Sequence, residues 1–286
     1  MVVIMKNIII ILLLTLFLLG CETQECPPCK CPTLTCPDCT LLDESIYIHF
    51  INVGQGDATL IKYKDTEMLI DCGKATIGYK VVEYLKDLKI DELEYLLITH
   101  PDEDHMGGCY DILNDINTKR VITNGEERTN VFFKDVISLI DTEQLTTTFE
   151  GETISLGPAV MKVIQANTDS EDFNQNSIVT KLVLKETSVL FTGDCDKECE
   201  DTLLTKDIES DIFKVPHHGS KFGTSISFLE KVKPEVAVIH VGINNNYGHP
   251  TDSVLDRLSQ EGVLVYRTDR DGNIVVTITE EGYNIK

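Results

Sequence analysis

Four residues able to bind a metal, His100, Asp102, Asp104 and His105, occupy six consecutive positions directly after the apolar run Tyr95-Leu-Leu-Ile-Thr99. In an extended chain the side chains at i, i+2 and i+4 share one side, which aligns His100, Asp102 and Asp104. A helix beginning there turns His105 towards the same volume. Imidazole and carboxylate together suit divalent Zn, Mn or Fe, whereas Ca and Mg prefer shells made wholly of oxygen. An ordinary acidic turn capping a helix would account for Pro-Asp-Glu-Asp alone. It does not account for the flanking histidines or for Gly107-Gly108.

Three later stretches place similar groups after apolar runs: Phe191-Thr-Gly-Asp194, Phe213-Lys-Val-Pro-His217-His218-Gly-Ser220 and Val241-Gly-Ile-Asn-Asn-Asn-Tyr-Gly-His249-Pro250. Loops beyond strand ends commonly carry functional side chains. Five of the seven histidines (100, 105, 217, 218 and 249) sit at such positions, while His49 and His240 lie inside strands and read as structural. Alternation along an extended chain lets only one of the 217/218 pair face a metal, and we assign His218 as ligand and His217 as proton donor. His249 serves equally as a ligand or as the acid that protonates a leaving group. Ser220 and the amides after Gly219, if they open a helix, offer a site for a phosphate oxygen. Asp57 and Asp71 each combine a strand end with glycine, and read either as groups that hold a loop or a liganding imidazole, or as Asx turns.

The elements that must position these groups follow from hydrophobic periodicity. Strands are predicted at 46–53, 58–63, 67–71, 93–99, 159–165, 177–185, 188–191, 211–215 and 236–241. Helices are predicted at 77–88, 105–113, 131–140, 199–204, 225–231 and 253–258. A closing hairpin joins 264–267 to 273–278 through the tight-turn signal Asp271-Gly272. Two strand clusters separated by helices fit two stacked sheets with helices outside, an αββα sandwich, although periodicity alone fits a single open sheet equally.

The N-terminal part is of another kind. Residues 1–20 contain a weakly charged start at Lys6 and an apolar run of twelve residues from Ile8, broken only by Thr15. That run is too short to span a hydrocarbon core of roughly 30 Å comfortably. It ends Leu18-Leu19-Gly20-Cys21, which resembles a bacterial lipobox with Cys21 as the lipidated residue; an uncut membrane anchor is the alternative. Either way the chain is expected outside the cytoplasm and tethered to a membrane. Residues 21–42 form a spacer in which Cys26, Cys29, Cys31, Cys36 and Cys39 alternate with four prolines, a composition that favours extended chain. Disulfides are the expected state of these cysteines outside the cytoplasm, with a thiolate metal knuckle as the alternative. Cys72, Cys109, Cys195 and Cys199 read as buried thiols, with pairing of the last two also open.

From residue 43 to 286 the composition is that of one globular domain. With 47 acidic and 25 basic residues the formal charge is −22, which repels polyphosphate unless charge is reversed locally.

The series Val53-Gly-Gln-Gly-Asp57, Leu69-Ile-Asp-Cys-Gly73, Thr99-His-Pro-Asp-Glu-Asp-His-Met-Gly-Gly108, Thr192-Gly-Asp194, Val215-Pro-His-His-Gly-Ser220, Tyr247-Gly-His-Pro250 and Tyr266-Arg-Thr-Asp269 resembles the metallo-β-lactamase superfamily. More narrowly it is similar to the soluble hydrolase domain of ComEC-type competence proteins. The resemblance covers nearly everything from Ile46 to the C-terminus. It implies an αββα sandwich and a hydrolytic centre of one or two divalent ions, Zn or Mn. By position His100 and Asp102 resemble the ligands of a first metal, Asp104 and His105 those of a second, and Asp194 the carboxylate bridging both. Two departures stand out: Asp102 replaces the commoner histidine, and Asn176-Ser177 stand where many members keep another ligand. The first metal site is thereby oxygen-rich, which leaves open a single tightly held ion. Asn176 is expected behind the ligands.

The function expected is a metal-dependent phosphodiesterase, nuclease-like, at the cell surface, with DNA as the candidate substrate. The alternatives are an esterase acting on small or cell-wall phosphoesters, and a surface lipoprotein that holds metal without catalysis.

Overall fold

Fifteen strands and the helices between them, in a computed structural model that describes residues 44–286, build two stacked sheets. The expectations for residues 1–43, namely the signal segment, Cys21 and the cysteine spacer, lie outside the described residues. The first sheet has the order β15-β14-β1-β2-β3-β4-β5-β6. Its strands are β1 (Ile46–Phe50), β2 (Thr59–Tyr63), β3 (Thr66–Ile70), β4 (Glu92–Leu97), β5 (Asn117–Thr123), β6 (Leu145–Thr147), β14 (Ile274–Thr279) and β15 (Gly282–Ile285). The second has the order β13-β12-β11-β10-β9-β8-β7. It consists of β7 (Thr153–Leu156), β8 (Ala159–Gln165), β9 (Val179–Leu184), β10 (Thr187–Phe191), β11 (Ile212–Lys214), β12 (Val236–Ile239) and β13 (Leu264–Arg267).

The layering follows from which face of each strand is apolar. In β1, Ile46, Ile48 and Phe50 point into the space between the sheets, where they meet Met161, Val163, Leu182 and Phe191 of the other sheet. His49, on the opposite face, bonds Tyr84 of helix α1 (Gly78–Asp87) at 2.9 Å. β3 divides the same way: Met68 and Ile70 enter the inter-sheet core, and Leu69 joins Val81, Leu85 and Ile112 under the first helical layer. Helices α5 (Lys197–Leu203), α6 (Ile226–Val232) and α7 (Asp252–Gln260) cover the second sheet through Leu203, Phe228 and Leu258. The result is the expected αββα sandwich, a four-layer α/β fold.

Three details correct the sequence reading. The segment 264–267 and the segment 273–278 do not form a hairpin: β13 ends the second sheet and β14 pairs with β1 in the first. The one-turn helix α8 (Thr268–Asp271) joins them, and the hairpin of this region is β14–β15, in register Thr279↔Gly282. The helix read at 105–113 is two helices, α2 (Glu103–Met106) and α3 (Cys109–Asp115), broken at Gly107-Gly108. A Cβ on Gly108 would lie 2.2 Å from the Cys72 carbonyl oxygen, so only glycine lets this turn lie against the loop after β3. Finally, Cys72 and Cys109 are not thiols but a disulfide, and Cys195 and Cys199 form a second one.

Candidate metal centre

Every stretch singled out for chemistry leaves the same edge of the sandwich. β1 and β3 run parallel to each other and to β4, and β10, β11 and β12 are mutually parallel, so their C-terminal ends open side by side. Asp57, Asp71 and His100–His105 come from the first sheet. Asp194, His217, His218 and His249 come from the second.

His100, His105 and His218 are buried, and each has its Nδ1 engaged. His100 Nδ1 lies 3.1 Å from Thr99 Oγ1 and 3.3 Å from Ser177 Oγ. His105 Nδ1 donates to Asp71 Oδ2 at 2.8 Å, and His218 Nδ1 donates to the His240 carbonyl at 3.0 Å. Asp71 is itself held by the Thr99 backbone N–H and hydroxyl, both at 2.8 Å. With one ring nitrogen committed, the other is free to bind a cation, the usual arrangement behind a liganding histidine. The Nε2 atoms of all three, together with Asp194 Oδ1, are buried without a hydrogen bond. His105 Nε2 stands 3.1 Å from Asp194 Oδ1, His218 Nε2 is 3.4 Å from Asp104 Oδ2, and the His100 and His105 rings are 4.2 Å apart. Ligand atoms of His100, His105 and Asp194 all lie within 4.8 Å of one another.

Unpaired buried polar atoms are costly, and a divalent cation is the ligand that satisfies converging imidazole nitrogens and carboxylates together. The donor set therefore fits a metal. Its charge balance agrees. Burial opposes charge on His218, but Asp194, Asp104 and Asp57 outweigh it and push its pKa up to about 10. His105 is raised in the same way by Asp194, Asp71 and Asp57. A pocket that makes imidazoles take up protons so readily is one that attracts cations. His100, buried and beside His105, stays neutral.

Asp104 is also held charged: burial raises its pKa, but His218 and His105 bring it down to about 2. Asp102 lies at the mouth. It is ion-paired to Arg128 through Oδ1, and its Oδ2 is 4.0 Å from His100 Nε2. Arg128 in turn stacks 3.7 Å above the Phe173 ring.

The adjacent histidines do not alternate as an extended chain would. Both lie in a 3₁₀ turn, Pro216–Gly219, with φ of 48° and 53°. Side-chain direction is therefore set by the turn: His218 goes inward, while His217 stays partly exposed with Nδ1 3.0 Å from Asp196 Oδ2 and Nε2 4.0 Å from Asp194 Oδ2. Burial works against charge on His217, but Asp196 and Asp194 prevail and raise its pKa. His249 faces both, its ring 5.7 Å from that of His217 and 6.5 Å from that of His218. Burial and those two neighbours lower it to about 4.

Two expectations shift. Ser220 does not open a helix; its N–H donates to the His217 carbonyl, and the next helix, α6, begins at Ile226 with Ser225 as its cap. Asn176 bonds Glu126 and the Ser170 backbone rather than approaching a candidate ligand. Ser177, one residue on at the end of the turn 173–176, faces the site. Its hydroxyl accepts from the Asp194 N–H at 3.0 Å.

Sequence reasoning passed over Thr99, Asp196, Arg128 and above all Lys214. The Lys214 side chain is 3% exposed, ion-paired to Asp57, and donates to the Gly193 carbonyl at 2.8 Å. Burial disfavours its charge, yet Asp57 and Asp194 keep its pKa above the ordinary value. A lysine inside the buried strand Ile212–Lys214 was the available signal.

Beside His100 a cavity of about 180 Å³ opens between Met106, Phe133 and Leu145, with Asn124 and Glu126 along it.

A model of the Metallo-beta-lactamase superfamily matches residues 51–242. ComE operon protein 3 of Bacillus subtilis (strain 168) is 28% identical over 250 residues, which are 79% of this chain and 32% of that protein. Recombination protein 2 of Haemophilus influenzae is 29% identical over 241 residues, 82% of this chain and 29% of that protein. The chain thus spans about a third of the length of these curated relatives. Among solved structures, Igni18, described as a novel metallo hydrolase from Ignicoccus hospitalis, superposes with a TM-score of 0.53 at 16% identity, covering 80% of this chain and 98% of that one.

Proposed function

The chain belongs to the metallo-beta-lactamase superfamily, and from that premise we propose that it is a metal-dependent phosphodiesterase whose substrate is nucleic acid, working outside the cytoplasm. The observation that carries the reading is the set of three histidine Nε2 atoms and one Asp194 oxygen, buried together and unpaired. His100, His105, His218, Asp104 and Asp194 would hold the ion or ions, with Asp102 at the mouth. A bound divalent ion supplies Lewis acidity and acidifies water near neutral pH.

The chain's own groups supply the rest. His217, backed by Asp196, is the proton donor for the leaving oxygen. His249 carries an unpaired buried Nδ1 and is a neutral partner at the same opening. Asp71 and Thr99 hold His105 in one tautomer.

A phosphodiester is favoured over other substrates by what surrounds the opening. Three cation–aromatic pairs lie on the loops of the site: Arg128 with Phe173, Lys74 with Tyr247 at 6.0 Å, and Lys221 with Phe222 at 5.0 Å. Tyr247 and Phe222 are exposed, and Tyr247 stacks on His249. Basic groups interleaved with exposed rings suit a single strand, its phosphates and bases together. The name of recombination protein 2 speaks of recombination, which agrees with a DNA substrate.

Two disulfides among the described residues support an oxidising compartment, in line with lipidation at Cys21. Among the described residues no helix is long and apolar enough to cross a membrane.

The test is turnover of bis-p-nitrophenyl phosphate with added Mn or Zn, then of single-stranded DNA against a choline phosphodiester. Faster cleavage of DNA is expected. Preference for the choline ester would replace nucleic acid with a small cell-wall substrate, and metal binding without turnover of any ester would leave a metal-holding surface protein.

A further inference from the structure

Lys214 touches both walls of the centre. From β11 its ammonium pairs with Asp57, on the loop after β1, bonds the Gly193 carbonyl at 2.8 Å, and stands 3.7 Å from Asp194 Oδ1. Asp194 is thus fixed from both sides: Ser177 accepts its N–H, while Lys214 holds the peptide before it. There is no slack at Gly193, where φ is 52° and an added Cβ would lie 2.9 Å from Ser177 Oγ.

Asp57 presents the converse problem. By proximity it forms a ligand group with His105 and His218, and it is buried as deeply as they are. Yet half of the Asp57 carboxylate is already taken. One oxygen pairs with Lys214, and the other, buried without a hydrogen bond, faces His218 Nδ1 at 3.3 Å and His240 Nδ1 at 3.5 Å. Those are the rear atoms of the imidazoles, not the Nε2 atoms that face the metal volume.

We propose that Lys214 is a resident cation of this centre, a positioning residue that presents Asp194 to the metal and withdraws Asp57 from the ligand set. The proposal rests on the metal reading above. Its chemistry is electrostatic. A fixed ammonium behind two carboxylates neutralises the one that must not bind metal and orients the one that must.

The experiment measures Mn²⁺ affinity of the full chain by the paramagnetic resonance of the free ion, Mn being chosen because thiolates of the spacer compete poorly for it. Lys214→Met alone strands a buried carboxylate and is expected to fold poorly. The informative variant is therefore Asp57→Asn/Lys214→Met, which removes the pair as a neutral unit. With its thermal midpoint near that of the parent chain, it is expected to bind Mn²⁺ at least tenfold more weakly, in the range for losing groups that orient ligands. A smaller loss in the folded double variant overturns the role of Lys214 and leaves the metal centre standing. Failure of the parent chain to bind Mn²⁺ or Zn²⁺ overturns both.

Discussion

The two walls of the site are built differently. The wall from the first sheet is one continuous run, Thr99 to His105, backed by a single carboxylate: Asp71 bonds Thr99 twice and His105 once. The disulfide Cys72–Cys109 ties the loop after Asp71 to helix α3, and Cys72 N–H donates to the His105 carbonyl at 2.7 Å. The wall from the second sheet is assembled from separate loops, with left-handed backbone at Gly193, His217 and His218. Its charged groups face one another across those loops: Lys214 with Asp194, His217 with Asp196. On the proposed reading both walls supply ligands, His100, Asp104 and His105 from the first and Asp194 and His218 from the second, while the second alone adds the proton-handling pair His217–Asp196. The ligands of the first wall are written in adjacent residues; those of the second meet only through the fold.

That contrast can be broken by substitution. Asp194→Ala acts on both functions at once and should have the largest effect, a fall of about a thousandfold in turnover together with weakened metal binding, in the upper range for losing a group that stabilises developing charge. Near-normal rates in a folded variant would remove Asp194 from the centre. His217→Ala and Asp196→Asn probe the second wall alone. Both should lower kcat, roughly a hundredfold for the histidine, with metal content unchanged; loss of metal in either would mean that His217 is a ligand. Asp71→Asn probes the first wall and should weaken metal binding about tenfold while leaving the pH profile of the bound enzyme in place.

An effect on stability alone lies behind the first wall, where His49 joins β1 to α1 through Tyr84. Burial, with a contribution from Lys62, lowers its pKa from 6.5 to about 4. The unfolded chain then binds the proton more readily than the folded one. Stability from this group is complete above pH 6.5 and is lost as pH falls towards 4, by at most about 3 kcal/mol. A His49→Gln variant should flatten that slope in urea melts taken between pH 4 and 7; an unaltered slope would place the dependence elsewhere.

The same difference explains what could be read from sequence. His100 to His105 were legible because strand, ligands and glycine turn lie in one stretch. Strands such as β1 and β8 were legible from their hydrophobic pattern, but alternation fitted one open sheet equally, and the division into two stacked sheets rested on the family resemblance. β5, β6 and β7 escaped because their exposed positions are polar or their runs short: β6 is three exposed residues, Leu145–Thr147. The false hairpin at Asp271-Gly272 arose because a turn signal is local, whereas the choice of sheet depends on partners as distant as β1 and β12. Lys214 was read as one more residue of a strand, since nothing nearby in sequence announces Asp57. The pairing of Cys72 with Cys109 was hidden for the same reason, 37 residues of separation bridged only by the fold.

Whether carboxylates and imidazoles from both walls share one ion is tested most directly by X-ray absorption at the zinc edge, on the full chain loaded with a single equivalent of zinc. The expected spectrum shows nitrogen and oxygen donors at about 2.0–2.2 Å with the outer scattering of histidine rings. A sulfur shell at about 2.3 Å would put the metal on cysteines instead and contradict the assignment.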